Sequence, residues 1–370
     1  MADGVEGNRR FALDLYGRLR QQPGNRFFSP SSISTALAMA YAGARGETAR
    51  QMAAALHFTL PPERLHAAFG ALTRRDGGKA PELAAANALW GQEGLPFRPD
   101  FRRLVEANYG PGLHTVDFRG DTEAARQTIN TWVEHQTRGE IKDLLGPSAL
   151  SPLTRLVLTS AIHFKAAWAS PFPEAATSDD PFRRPKGEAV RVRMMSQDGT
   201  FGYFDGGHFE ALELPYQGGD LSMVVALPRA VDGLGELEGS LTTDWLPELT
   251  PRRVAVTLPE FKVEEGFDLQ DVLAGLGMPD AFSEERADFS GMTGGRDLFL
   301  SKAIHKAFVH VNEAGTVAAA AAAVVMKWRG AAARPMPPIP FRADHPFLFL
   351  IRDNRTGSIP FLGRLEDPEG

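Results

Sequence analysis

Cysteine is absent from the 370 residues. Disulfides, a thiolate nucleophile and cysteine-ligated metals are thereby excluded, while the redox compartment stays open. No run of about 18 apolar residues occurs, so no helical membrane span is expected. The opening residues, Met1-Ala2-Asp3-Gly4-Val5-Glu6, do not read as a secretory signal. Clustered positive charge is missing too: 40 basic side chains face 46 acidic ones, for a net charge of -6. Arg9-Arg10, Arg74-Arg75 and Arg183-Arg184 are isolated pairs that read as solvated surface, so no nucleic-acid partner is expected. Catalytic signatures are equally lacking. The chain has no G-x-S-x-G elbow, H-E-x-x-H zinc helix, G-x-x-x-x-G-K-[ST] phosphate loop or G-x-G-x-x-G turn, and Gly233-Leu234-Gly235 wants the third glycine. Neither an enzyme nor a resident cofactor or metal is expected.

What the chain has instead is one unusual stretch, residues 313–329. From Ala314 to Met326 there is no charge and no proline, and Thr316 is the only polar side chain. Alanine favours helices, so Ala318–Ala323 reads first as the middle of a buried helix. Gly315 and Thr316 make a poor helix interior, and Val324-Val325 lose rotamer freedom there. Alanine is not favoured in strands either, and propensity leaves both readings open. Arg329 follows, a target for a trypsin-like protease, and then a proline-rich tract, Arg334-Pro335-Met336-Pro337-Pro338-Ile339-Pro340. One side of Arg329 is able to enter a sheet; the other is not. That asymmetry suggests a loop that is cut and then absorbed.

The remainder reads as α+β, with helices early and strands late. Arg10 to Leu19 shows helical spacing, ended by Pro23-Gly24. Ser29-Pro30 places a hydroxyl cap before a buried helix over Ile33–Ala42. Glu47–Leu56 and Leu65–Leu72 are amphipathic helices, and Thr122–His135 opens on a capping-style threonine. Thr154–Trp168, apolar and rich in β-branched residues, reads as a central strand. Strands are also expected at Phe209–Leu214, Leu221–Leu227, Val254–Leu258 and Phe261–Val263, and a helix over Leu269–Leu276 closed by Gly277. A hairpin turn at Asn354–Gly357 joins Phe347–Ile351 to Ile359–Leu362.

Several of these segments together resemble the serpin family. His305-Lys306-Ala307, Val311-Asn312-Glu313, Gly315-Thr316 and the alanine run look like the hinge of an inhibitory member. The stretch from Phe341 to Ile351 is similar to the family's C-terminal signature, and Asn25 to Ile33 to the entry of its buried central helix. Gly43 to Thr48 matches the following turn. Ile129 to Glu134 with Gly139-Glu140-Ile141 resembles the helix lying across the main sheet, and Phe164 to Trp168 the strand ending at that sheet's opening. The matches run in order over essentially the whole chain.

The resemblance implies a single serpin domain over 1–370, with a large central mixed β-sheet, smaller sheets, about eight or nine helices and an exposed reactive loop over 314–340. It implies a suicide substrate for a trypsin-like serine protease. The protease acylates at the cut bond, the loop enters the sheet as a strand, and the enzyme is carried off distorted. The family's hinge-to-cut spacing, counted from Glu313, lands on Arg329–Gly330, with Lys327 the alternative reactive residue. Hinge residues are then Glu313, Gly315, Thr316, Ala318, Ala319 and Ala320. Ser29, Ser32, Ser160 and His305 fall in the region called the shutter, where a histidine bonds hydroxyls beneath the sheet, and Trp168 falls at the opening.

Three positions depart from the family pattern. Ser160 stands where an asparagine is usual, so the His305 network must be rewired. Ala166 replaces a common glycine. Glu260 stands where a lysine often pairs with the hinge glutamate, so Glu260 and Glu313 would repel if brought close. A non-inhibitory carrier or chaperone of the same fold is the alternative, and such members tend to carry bulky or charged hinge residues. The resemblance further implies a monomer, placed outside the cell or in the periplasm, or in the cytoplasm if Met1 is the native start.

Overall fold

The computed structural model describes residues 2–73, 82–185, 187–245, 248–316 and 337–369. Ala318, Ala319, Ala320, Lys327, Arg329 and Gly330 lie outside the described residues. Helices Ala2–Leu19, Pro30–Gly43, Gly46–Ala55, Pro62–Thr73, Pro99–Tyr109 and Thr122–Gln136 crowd the first part of the chain. The later part is mostly strand.

Two sheets organise the described residues. The smaller is mixed, in the order Phe261–Asp268, Lys302–Asn312, Gly315–Thr316, Leu156–Ala167, Glu82–Gln92 and Leu113–Val116. Leu156–Ala167 is the expected central strand. The larger sheet has nine strands and is antiparallel except where Ile339–Arg342 pairs with Val254–Thr257. The nine-stranded sheet is continuous because Ala189–Asp205, 17 residues long, pairs with Ser178–Arg183, Phe209–Pro215 and Thr250–Pro259 along its length.

Between the sheets lies an apolar core that includes Phe27, Phe164, Trp168, Tyr216, Met223, Phe349 and Phe361. A second core packs the helices around Pro30–Gly43, of whose 14 residues 11 are buried. A helix covered on every side needs no amphipathic stripe, which accounts for its small-residue sequence. Ser29 caps it by accepting from Ser32 N at 3.1 Å, as the sequence predicts.

Other boundaries differ from the expected ones. Thr122 does not cap its helix: Asp121 does, accepting from Ala124 N at 2.9 Å, while the Thr122 hydroxyl donates to Phe118 O. The carboxylate is the better acceptor at the positive helix end. Glu82–Gln92, rich in alanine, had no predicted state and is a strand. Pairing with Lys165–Leu156 along its length overrides alanine's helical preference. Its buried Ala86 and Ala88 are small enough to let Ile129 and Val133 of the covering helix approach the sheet.

Candidate functional site

Strand Lys302–Asn312 ends at a two-residue turn, Glu313-Ala314, and the chain folds back as Gly315–Thr316. The turn forms because the Asn312 side-chain oxygen accepts from the amides of Ala314 and Gly315, at 3.0 and 3.2 Å. The returning pair lies between two strands, with Thr316 opposite both Val311 and Ala166 and Gly315 opposite Ala167. Lower down those strands touch directly, in parallel, from Val157 opposite Lys302 to His163 opposite Phe308. The sheet is therefore zipped below and parted above, with two residues in the opening.

Gly315 is required there. A β-carbon at this position would meet the Ala166 carbonyl oxygen at 2.2 Å, and backbone cannot yield as a side chain does. Trp168 fixes the turn from the other side: its backbone N–H donates to Ala314 O and its indole N–H to Asn312 O, both at 3.0 Å. The amide of Phe172 donates to Glu313 O at 2.9 Å.

Glu313 and Glu260 do come close, but the expected repulsion is overturned. Arg193 reaches from the nine-stranded sheet and binds both, Glu260 through Nε and Glu313 through a terminal nitrogen, each at 2.7 Å. One guanidinium fork suits two carboxylates better than a single ammonium would. Thr177 also donates to Glu313, at 2.8 Å. Burial works to raise the Glu313 carboxyl, but its own amide, Thr177 and Arg193 together hold it below the usual range.

Ser29, Ser32, Ser160 and His305 gather under the zipped part, fully or almost fully buried. The expectation that His305 bonds the hydroxyls of Ser29 and Ser32 is corrected. Its Nε2 accepts from the Ser29 backbone N–H at 3.1 Å, because the Ser29 hydroxyl is committed to the helix cap and to Pro360 O. That fixes the tautomer, so Nδ1–H donates to Ser160 Oγ at 3.0 Å. Ser160 meets Ser32 at 3.0 Å, and Ser32 donates to Asn87 Oδ1 at 2.9 Å. Asn87, one strand over, thus ends the relay that Ser160 alone is too short to complete. Burial pulls the His305 imidazole down to about 3, so it is neutral here.

The described residues show no group of three or more potential metal-binding side chains. The arrangement is a two-residue strand in the opening of a sheet whose lower part lies over a buried polar relay. Comparison with known proteins supplies the family. The family model for serpins, serine protease inhibitors, matches residues 6–368.

The chain belongs to the serpin family.

It is 44% identical to the leukocyte elastase inhibitor of Homo sapiens, over 98% of each chain. Among solved structures it resembles Serpin48 of the insect Tenebrio molitor, with a TM-score of 0.89 and 33% identity over 99% of this chain and 98% of that one. Uncleaved ovalbumin matches with a TM-score of 0.88 and 32% identity, over 99% and 100% of the two chains. The family description and the name of the human relative both point to inhibition of a protease.

Arg193, Thr177, Asn87 and Tyr216, whose hydroxyl lies 2.8 Å from that of Thr316, escape a sequence reading in this serpin. Each lies far along the chain from its partner, and an arginine or asparagine within a strand carries no local sign of what it will face. An available signal was the Glu260–Glu313 conflict itself, which calls for a cation.

Proposed function

We propose that this serpin is an inhibitor of trypsin-like serine proteases, cleaved at Arg329–Gly330 and completed by entry of the loop into the six-stranded sheet. The observation that carries this reading is the shared register of the parted and zipped segments. Continuing the pairing of Gly315 and Thr316 sets Ala319 between His163 and Phe308, and Ala322 between Ser160 and His305. Met326 then falls opposite Leu156, the end of that strand. No slip is needed. The uncharged stretch from Ala314 to Met326 ends where the strand ends, and the first charge, Lys327, falls opposite Arg155, just past it.

Thr316 already faces Tyr216 in the core, so Ala318, Ala320, Ala322, Val324 and Met326 would follow it inward. Val317, Ala319, Ala321, Ala323 and Val325 would face the covering helix. A buried unpaired polar group costs about 1–3 kcal/mol and a charge more, and neither set contains a charge. Alanine is no obstacle, since Glu82–Gln92 shows an alanine-rich segment paired in this same sheet. One ladder is exchanged for two. The net gain is on the order of 10 kcal/mol, at about 1 kcal/mol per added bond. From Thr316 to Arg329 an extended strand spans roughly 43 Å, enough to carry an attached enzyme to the far pole. An uncut chain that withholds this strand is kinetically trapped, and serpin loop insertion is an established example of such stored strain.

Arg329 suits the aspartate at the base of a trypsin-like pocket. Arg334 precedes Pro335 and is a poor site. Within this reading the chain is one domain, with 314–340 as its reactive loop. The test is incubation with trypsin, and separately with an elastase, followed by denaturing electrophoresis. A covalent species near the summed masses with trypsin is expected. A complex with the elastase alone would overturn the assignment of Arg329, and cleavage without any complex would favour a non-inhibitory carrier.

A further inference from the structure

His163 occupies the fork of the sheet. It is the last residue of the zipped ladder, opposite Phe308, and Ala166 above it already pairs with the hinge. Any lengthening of the hinge strand must part His163 from Phe308 early.

The ring is only 4% exposed, and its Nε2 is buried with no hydrogen-bond partner among the described residues. It lies 5.6 Å from the Phe308 ring. Around that ring Ala161, Val133 and Ile141 close an apolar cluster beneath the covering helix. On the neighbouring strand the register partner is Ala84. Of the charged groups around it, Glu140 favours the protonated ring, while Lys165 and Arg138 oppose it. Lys262 adds a cation over the far ring, 5.0 Å from the Phe308 centroid. Burial outweighs Glu140 and keeps the imidazole neutral, its pKa below the ordinary value.

We propose that His163 is a proton-operated release that sets how readily the two central strands part, so that acidification speeds entry of the hinge strand. A protonated imidazole carries two donors. In the zipped sheet Nε2 meets no acceptor; once the strands part, water provides one. The ring therefore titrates near its ordinary value of about 6.5 in the parted sheet, and lower in the zipped one. The sign follows: the zipped state keeps its full advantage above about pH 6.5 and loses it as pH falls toward the lowered value. Ala319, which takes the place between His163 and Phe308 on insertion, brings no acceptor side chain. The proton thus acts on the parting step. Its consequence for inhibition rests on the insertion mechanism proposed above, whereas the proton sensitivity of the fork does not.

The experiment is hydrogen–deuterium exchange on the intact, uncut protein from pH 5 to 8, corrected for the intrinsic pH dependence of exchange. Peptides spanning 157–167 and 302–311 are compared between wild type, His163→Phe and His163→Gln. In wild type the fork should open up to roughly thirtyfold more at pH 5 than at pH 8, the ratio set by a ring titrating near 6.5 only when parted. Both variants should lose that dependence at the fork and keep whatever pH dependence other segments show. In the zipped sheet His305, held near 3 by burial, stays neutral across this range, and any titration of it on deeper parting is common to wild type and both variants. Equal pH dependence at the fork in wild type and in whichever variant folds, or none in wild type, overturns the proposal. Insertion itself is read separately, by melting before and after loop cleavage. A raised melting temperature beside a pH-insensitive fork would remove the role of His163 and leave the insertion mechanism standing.

Discussion

The hydroxyl of Thr316 stands 2.8 Å from that of Tyr216, whose ring stacks on Trp168 with centroids 4.6 Å apart. All three residues are buried, and an isolated bridge joins Trp168 to Tyr216. The hinge is thus seated through the six-stranded sheet onto the nine-stranded one. Its first inward-facing side chain already has a partner before any cut is made.

Replacing that side chain by a long cation should unseat it. In Thr316→Arg a charge would have to enter a site that holds only a hydroxyl pair, at a cost of several kcal/mol. Trypsin is expected to cut the loop and leave active, with the stoichiometry of inhibition rising by about tenfold or more. Unchanged stoichiometry would mean that insertion does not start at this hinge.

Specificity is expected to rest on Arg329. Reversing its charge sets a glutamate against the aspartate of a trypsin-like pocket, and like charges across a contact cost several kcal/mol. Arg329→Glu should lower the association rate with trypsin by about 1,000-fold while leaving the melting curve as it is. An unaltered rate would move the primary contact to Lys327.

The Arg193 clamp should be modest in energy and visible in pH. Arg193 is half exposed, so Arg193→Ala is expected to lower the melting temperature by only about 2 °C at neutral pH. The Glu313 carboxyl is held below its usual range by its own amide, Thr177 and Arg193 together, so the share due to Arg193 is full above about pH 4.5 and fades as pH falls through the lowered value. Wild type and variant should therefore melt progressively closer together below about pH 4.5. A gap that is constant with pH would show that the ion pair contributes nothing and that the loss comes from packing.

Cleavage of the loop should stabilise the protein. A gain on the order of 10 kcal/mol is comparable with the whole stability of a typical domain, about 5–15 kcal/mol. The melting temperature after limited cleavage at Arg329–Gly330 should rise by about 20 °C. The proline-rich side should not follow, for a different reason from the expected one: Ile339 and Pro340 do enter a sheet, but it is the nine-stranded one, where they already pair with Val254 and Ala255. A melting temperature that stays or falls on cleavage would favour a non-inhibitory member of the fold.

Local chemistry made much of this protein legible in its sequence. The Ser29 cap, the central strand at Leu156–Ala167 and the Asn354–Gly357 turn follow from short-range rules, and the structure has each of them. The charge-free stretch from Ala314 to Met326 and the arginine beyond it could also be read directly, because they are properties of order along the chain. Contacts between distant segments could not. Glu82–Gln92 became a strand only because a partner strand runs beside it, and Asp121 displaced Thr122 because a carboxylate was one residue nearer the helix end. Arg193 lies 120 residues from Glu313, yet it turns an expected repulsion into a clamp. Sequence determined where charge is lacking along the chain and where the basic residues stand beyond that stretch. Only the tertiary structure decided where the sheet is parted, which side chains hold it, and that hinge and ladder share one register. Those are relations between strands, fixed by packing and hydrogen bonding across space, and no single segment carries them.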